Sequence, residues 1–156
     1  MTRIHRLGPF SVHGENIGLL LAISSGRAVA AAREALVPFS LSARSYSLLE
    51  QLVLTGAPTQ RQLADALALD PSQIVALVDS LEDRGLAERR PHPDDRRQKT
   101  VVATQTGETV YAQAKEQIQA SLDTLLTGLD PEERIVLADL LHRIARPAPG
   151  ALEDAG

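Results

Sequence analysis

The chain has no cysteine, no tryptophan, one methionine and only two tyrosines and two phenylalanines. Without cysteine, thiol redox sensing, thiolate-bound zinc and a disulfide framework are all excluded. Aromatics amount to 3 % of 156 residues, so a core must be built from Leu, Ala, Val and Ile. That bias favours helices, because Ala and Leu lead the helix propensity scale. Long hydrophobic runs are missing as well. The apolar run Ile17 to Ile23 falls far short of the about 20 residues that span a bilayer. The opening MTRIHRLGPFSVHG lacks the apolar centre of a signal peptide, so a cytoplasmic protein is expected. His5, His13, His92 and His142 are scattered without metal-ligand spacing. No metal and no cofactor are expected. No nucleophile–base pair or phosphate-binding glycine pattern argues for an enzyme.

Hydrophobic residues at 44 % suffice for one compact domain or two very small ones. The net charge of -4 hides a local reversal. Between Arg84 and Lys99, six basic residues (Arg84, Arg89, Arg90, Arg96, Arg97, Lys99) face three acids (Glu88, Asp94, Asp95). That segment carries +3 and leaves -7 for the rest of the chain. Charge patterning at this scale is a better guide to a partner than the total.

Periodicity predicts a helix from Gly14 to Leu36, stopped by Pro38, with an Ala-rich second half that would let another helix approach closely. After the linker SLS, a second helix runs from Ala43 to Thr55 with Tyr46, Leu49, Leu52 and Val53 on one face, ended by Gly56 and Pro58. Thr59 and Gln62 form a capping-box pattern for a short third helix. Asp70 and Pro71 open a fourth, where Ile74, Leu77, Val78 and Leu81 make one apolar stripe that Gly85 closes. Beyond Gly85, LAERR and TVVAT have strand character and enclose Pro91, Pro93 and Asp94, which favour a turn. The basic segment is therefore expected at the tip of a β-hairpin. A fifth helix from Gln105 to Leu126 carries Val110, Ala114, Ile118, Leu122 and Leu125 on one face. Asp130, Pro131 and Glu133 start a sixth, with Leu137, Leu140, Leu141 and Ile144 expected on its buried side.

Two short helices joined by a tight turn and followed by a hairpin make a winged helix-turn-helix, so the fold class is mainly α with a small β-hairpin wing. The second helix of such a pair suits the DNA major groove. Its outward face holds Ser72, Gln73, Val75, Ala76, Asp79 and Ser80. Ser72 and Gln73 lie in the first turn, where side chains reach base edges and backbone N–H groups meet phosphate. The hairpin tip sets Arg96 and Arg97 beside the same duplex, where arginine can read a narrow minor groove.

The stretch LADALALDPSQIVALVDSLEDRGLAERRPHPDDRRQKTVVATQTG resembles the multiple-antibiotic-resistance regulator (MarR) family of bacterial transcription factors. LEDRGLAERRPHPDDRRQK is the most specific piece, and Thr104 with Gly107 is similar to the family's T-x-x-G start of the dimerisation helix. By that resemblance Asp95 braces Arg97, Arg97 enters the minor groove and Arg96 meets a flanking phosphate. The first, fifth and sixth helices then form a homodimer that sets two reading helices on a pseudo-palindromic operator. Two positions depart from the pattern: Ala76 stands where many members carry a polar base-contacting residue, and His92 where the wing is often acidic. Ala76 can still touch a thymine methyl. The resemblance also implies a small aromatic or anionic effector, for which Arg44 and Tyr46 are the candidates, Arg44 pairing with a carboxylate. A repressor released by such an effector is the expected function. A winged-helix protein-interaction module without DNA binding is the alternative. The expected division is a dimerisation segment over 1–40, a DNA-binding lobe over 41–104, dimerisation helices over 105–146 and a mobile tail over 147–156.

Overall fold

Each helix start leaves backbone N–H groups that a neighbouring side chain must satisfy, and caps account for most of the element boundaries. The computed structural model describes residues 16–92 and 98–145. Helices α1 (Ile17–Leu36), α2 (Ala43–Thr55), α3 (Gln60–Leu67) and α4 (Pro71–Asp83) precede strands β1 (Ala87–Pro91) and β2 (Lys99–Ala103), and helices α5 (Gln105–Leu125) and α6 (Pro131–Ala145) follow. Ser42 starts α2 by accepting the Ser45 N–H at 3.0 Å. Thr59 and Gln62 start α3 reciprocally: the Thr59 N–H donates to Gln62 Oε1 at 2.8 Å, and the Gln62 N–H to Thr59 Oγ1 at 3.3 Å. Pro38 lacks the N–H that another turn of α1 would need. The chain instead passes through a 3-10 turn over Val37–Phe39 and leaves it at Ser40, whose φ of 50° is left-handed.

The core sits inside the α2–α4 lobe. Leu48, Leu49, Leu52, Leu63, Ile74, Val78, Leu81 and Val101 are fully buried there. Leu36 and Leu41 join it from one side, and Tyr111 and Ala114 of α5 from the other. The buried face of α2 runs through Ser45, Leu48, Leu49 and Leu52. It is rotated from the expected one, so Tyr46 and Val53 are only half-buried. Leu77 likewise packs at the edge of the core.

The strands pair antiparallel from Ala87 opposite Ala103 to Pro91 opposite Lys99. One further bond, from the His92 N–H to the Gln98 carbonyl at 3.0 Å, extends the ladder towards its tip. The α2–α3 turn adds a contact that the hairpin pattern does not announce. The Val101 N–H donates to the Pro58 carbonyl at 2.9 Å, and Thr59 bridges Thr100.

The T-x-x-G motif also has a physical cause. Thr104 Oγ1 accepts the Gly107 N–H at 3.0 Å and donates to the Gly85 carbonyl at 2.6 Å, pulling the start of α5 onto the end of α4. A β-carbon on Gly107 would lie 2.0 Å from the Leu86 carbonyl oxygen, so only glycine fits.

α1 packs along α5, yet its first half leaves Ile17, Leu19, Leu20 and Ile23 exposed. The expected buried side of α6 is not buried within one chain: Leu137 is half-covered, and Leu140, Leu141 and Ile144 are 45 %, 43 % and 63 % exposed. An apolar stripe at helical spacing marks a face that needs covering, and among the described residues nothing buries this one. Among the described residues no helix is long and apolar enough to cross a membrane.

Candidate nucleic-acid interface

Helix α4 presents two faces of different chemistry. Ile74, Val78 and Leu81 point into the core, and Ser72, Val75, Ala76 and Ser80 are exposed together on the opposite side. That open face is small and nearly uncharged, so it can lie close against another surface. Gln73 is half-buried, and its amide oxygen accepts the Asp70 N–H at 3.2 Å. Its capping role leaves the amide nitrogen as the group that could reach outward.

The arginine-rich segment divides its charges. Arg89 on β1 turns back onto the helices: Nη2 lies 2.7 Å from Asp79 Oδ1, Nε donates to Gln60 Oε1 at 2.8 Å, and Nη1 pairs with Glu82. Glu82 also accepts the Arg89 backbone N–H at 2.6 Å. The guanidinium thereby joins β1, α3 and α4, and its side chain is only 19 % exposed. It cancels acidic charge on the outward side of α4, where Asp79 would otherwise repel a polyanion. Arg90 pairs with Glu88. Arg84 reaches away from the hairpin, donating to the carbonyls of Ser40 at 2.9 Å and Phe39 at 2.6 Å. Three of the six cations counted in the sequence are thus engaged within the fold. No local signal announced the ties of Arg84 and of Arg89 to Gln60, because those partners lie 45 and 29 positions away. Asp95, Arg96 and Arg97 lie outside the described residues. The strand ends that bracket them, Pro91 and Lys99, pair with each other, and β1 packs against α4.

The candidate effector residues diverge. Arg44 is exposed, whereas Tyr46 turns inward and stacks on Tyr111, ring centroids 5.6 Å apart. Positions two apart on a helix do not share a face. Tyr111 Oη donates to Glu50 at 3.1 Å, and Lys115 Nζ sits 5.7 Å from the Tyr111 ring centre. Burial, with the Glu50 carboxylate and Tyr111 adding to it, pushes the Tyr46 phenol up to about 12. Burial and the bond to Glu50 raise Tyr111 as well. Beside Tyr111, an open cleft of about 630 Å³ runs along α5, lined by Lys115, Glu116, Gln119 and Asp123 among others. Among the described residues no cluster of three His, Asp or Glu side chains could hold a metal ion.

A tri-helical lobe with an antiparallel hairpin beside its last helix defines a winged helix-turn-helix protein. Residues 39–98 match the sequence pattern of the MarR family. A MarR-family transcriptional regulator from Rhodococcus sp. RHA1 is 37 % identical, with a TM-score of 0.72 over 88 % of this chain and 98 % of its own. CouR from Rhodococcus jostii RHA1, bound to p-coumaroyl-CoA, is 38 % identical, with a TM-score of 0.71 over 89 % and 99 % of the two chains. The transcriptional repressor CouR bound to a 23-mer DNA duplex aligns at 29 % identity and a TM-score of 0.74, covering 85 % of this chain and 94 % of that one. The chain belongs to the MarR family of transcriptional regulators.

Proposed function

We propose that the chain is a homodimeric, sequence-specific double-stranded DNA-binding repressor that a small aromatic or anionic effector releases from its operator. The exposed Ser72–Val75–Ala76–Ser80 face of α4, with the hairpin beside it, carries this reading. Ser72, Gln73, Val75, Ala76 and Ser80 are the proposed base-side contacts, and Asp95, Arg96 and Arg97 the proposed wing contacts. The exposed apolar faces of α1 and α6 support the homodimer, because patches of that extent usually mark an interface. A two-fold partner also sets the two α4 helices on one pseudo-palindrome. Residues 1–40 and 105–146 are then the dimerisation parts, and 41–104 the DNA-binding lobe. A relative bound to p-coumaroyl-CoA supports an effector that is both aromatic and anionic. Arg44 is proposed to meet its charge at the rim, and Tyr46 its ring.

Fluorescence anisotropy with DNA fragments flanking the protein's own gene tests this reading. One fragment should bind at least about a thousandfold more tightly than random duplex. Aromatic carboxylates and their thioesters should weaken that binding by a coupling of about 1–3 kcal/mol. Equal affinity for every duplex would remove the sequence-specific reading, and no affinity for any duplex would favour the protein-interaction module.

A further inference from the structure

We infer that Arg84 is a positioning residue: it ties the C-terminal end of α4 to the junction between α1 and α2 and so fixes the angle of the DNA-binding lobe against the dimerisation helices. This rests on the proposed role of α4 as the reading helix. Arg84 is the C-cap that follows α4, held there by a left-handed Gly85 (φ 66°) and the bond from the Leu86 N–H to the Leu81 carbonyl at 2.9 Å. The side chain therefore leaves the helix in a set direction. It meets the Phe39 and Ser40 carbonyls, which lie at the end of the 3-10 turn, beyond that turn's own hydrogen-bond ladder. A planar guanidinium fork spans two neighbouring carbonyls, and a lysine ammonium matches that geometry less well. The turn it grips leaves through the left-handed, non-glycine Ser40, so the link lies across the connection between α1 and the lobe. Two reading helices must enter successive major grooves roughly 34 Å apart. A lobe free to rock about the α1–α2 junction would lose that spacing while keeping its own fold.

The absence of cysteine makes the test clean, since Arg33→Cys with Ser80→Cys introduces the only two thiols, one on α1 and one on α4. Spin-labelled chain diluted into an excess of unlabelled chain reports the α1–α4 distance within one molecule by pulsed electron resonance. Arg84 should give a narrow distribution, Arg84→Ala a broadened or shifted one, and Arg84→Lys an intermediate one, all with unchanged helical circular dichroism. On DNA, Arg84→Ala in the unlabelled chain, with Arg33 and Ser80 intact, should lose operator affinity by about 2- to 30-fold. It should also tolerate altered half-site spacing, with random-duplex affinity unchanged. If the parent chain binds no operator, the proposed function fails, and the distance measurement still decides the role of Arg84. Should Arg84→Ala fail to fold, Arg84→Lys alone decides, because a distribution identical to the parent's removes the need for the fork. A folded Arg84→Ala chain whose distances superimpose on the parent's overturns the inference.

Discussion

Helices α4 and α6 begin in the same way and meet opposite surroundings. Asp70–Pro71 opens one and Asp130–Pro131 the other. Three residues beyond each aspartate a side chain bonds back to its N–H, Gln73 at 3.2 Å and Glu133 at 2.9 Å. Each helix carries an apolar stripe. Yet Ile74, Val78 and Leu81 have no exposure at all, whereas α6 has no buried residue and Ile135 is 71 % exposed. The start signals match, so they are not the source of the difference. A periodic stripe specifies that a face must be covered, not which chain covers it. For α4 the cover comes from α2, α3 and the hairpin. For α6 we assign it to a second copy.

That contrast fixes the largest expected effects. Ile74→Ala should cost about 2–5 kcal/mol, as deletion of a fully packed side chain does. The loss should appear equally at every protein concentration in a urea titration. Leu141→Ala should barely change the fold of one chain. It should instead shift the sedimentation equilibrium towards monomer and make the unfolding midpoint depend more steeply on concentration. If both variants lower the midpoint alike at all concentrations, α6 is folded into its own chain and the comparison fails.

The next largest effect tests the join between lobe and dimerisation helix. Gly107→Ala must displace either α5 or the Leu86 peptide, because the added β-carbon would stand 2.0 Å from a backbone oxygen. Overpacking of this kind costs about 1–3 kcal/mol, and more when backbone must move. Gly128 provides the control: it has open space around it, so Gly128→Ala should leave the thermal midpoint nearly unchanged.

What the sequence disclosed follows the range of the interactions. The starts of α3 and α6 were legible because a cap and its N–H lie three residues apart, as for Thr59 with Gln62 and Asp130 with Glu133. The end of α4 was legible because Gly85 alone could take the left-handed turn. The hairpin was placed to within one residue at each strand. The arginines were less legible. Counting charge along the chain put Arg84, Arg89 and Arg90 together with the tip, but folding sends Arg84 to Ser40 and Arg89 to Gln60 and Asp79. The Thr59–Thr100 bridge was invisible for the same reason, since a single pair leaves no periodicity.

A smaller effect separates the two kinds of arginine. Arg89→Ala should lower stability by about 1–2 kcal/mol, the worth of a charge-assisted network discounted for its partly exposed acids. It should leave the salt dependence of DNA binding nearly unaltered. Arg97→Ala should do the reverse, with stability unchanged within about 0.5 kcal/mol and the salt slope reduced by about one for each phosphate the side chain no longer meets. Arg97→Ala binding operator like the parent would mark the tip as a solvated turn. A lowered salt slope in Arg89→Ala would place that residue on DNA as well.

The smallest effect is at alkaline pH, where the inner side of α2 can be read directly. With two tyrosines and no tryptophan, phenolate absorbance reports only Tyr46 and Tyr111. The folded Tyr46 phenol titrates at about 12, raised from 10.0 by burial first and by the Glu50 charge second. In the unfolded chain the phenols lose protons near pH 10 while the folded chain still holds them, so the unfolded state binds fewer protons there. Stability therefore stands in full below about pH 10 and falls as pH rises towards 12. Tyr46→Phe removes one of these groups and should flatten that decline, while leaving stability at pH 7 close to the parent's because the stacked ring remains. A Tyr46 that titrates near pH 10 in the folded chain would mean that the ring is solvated, and the Tyr46–Tyr111 stack would then be loose enough for an effector to part.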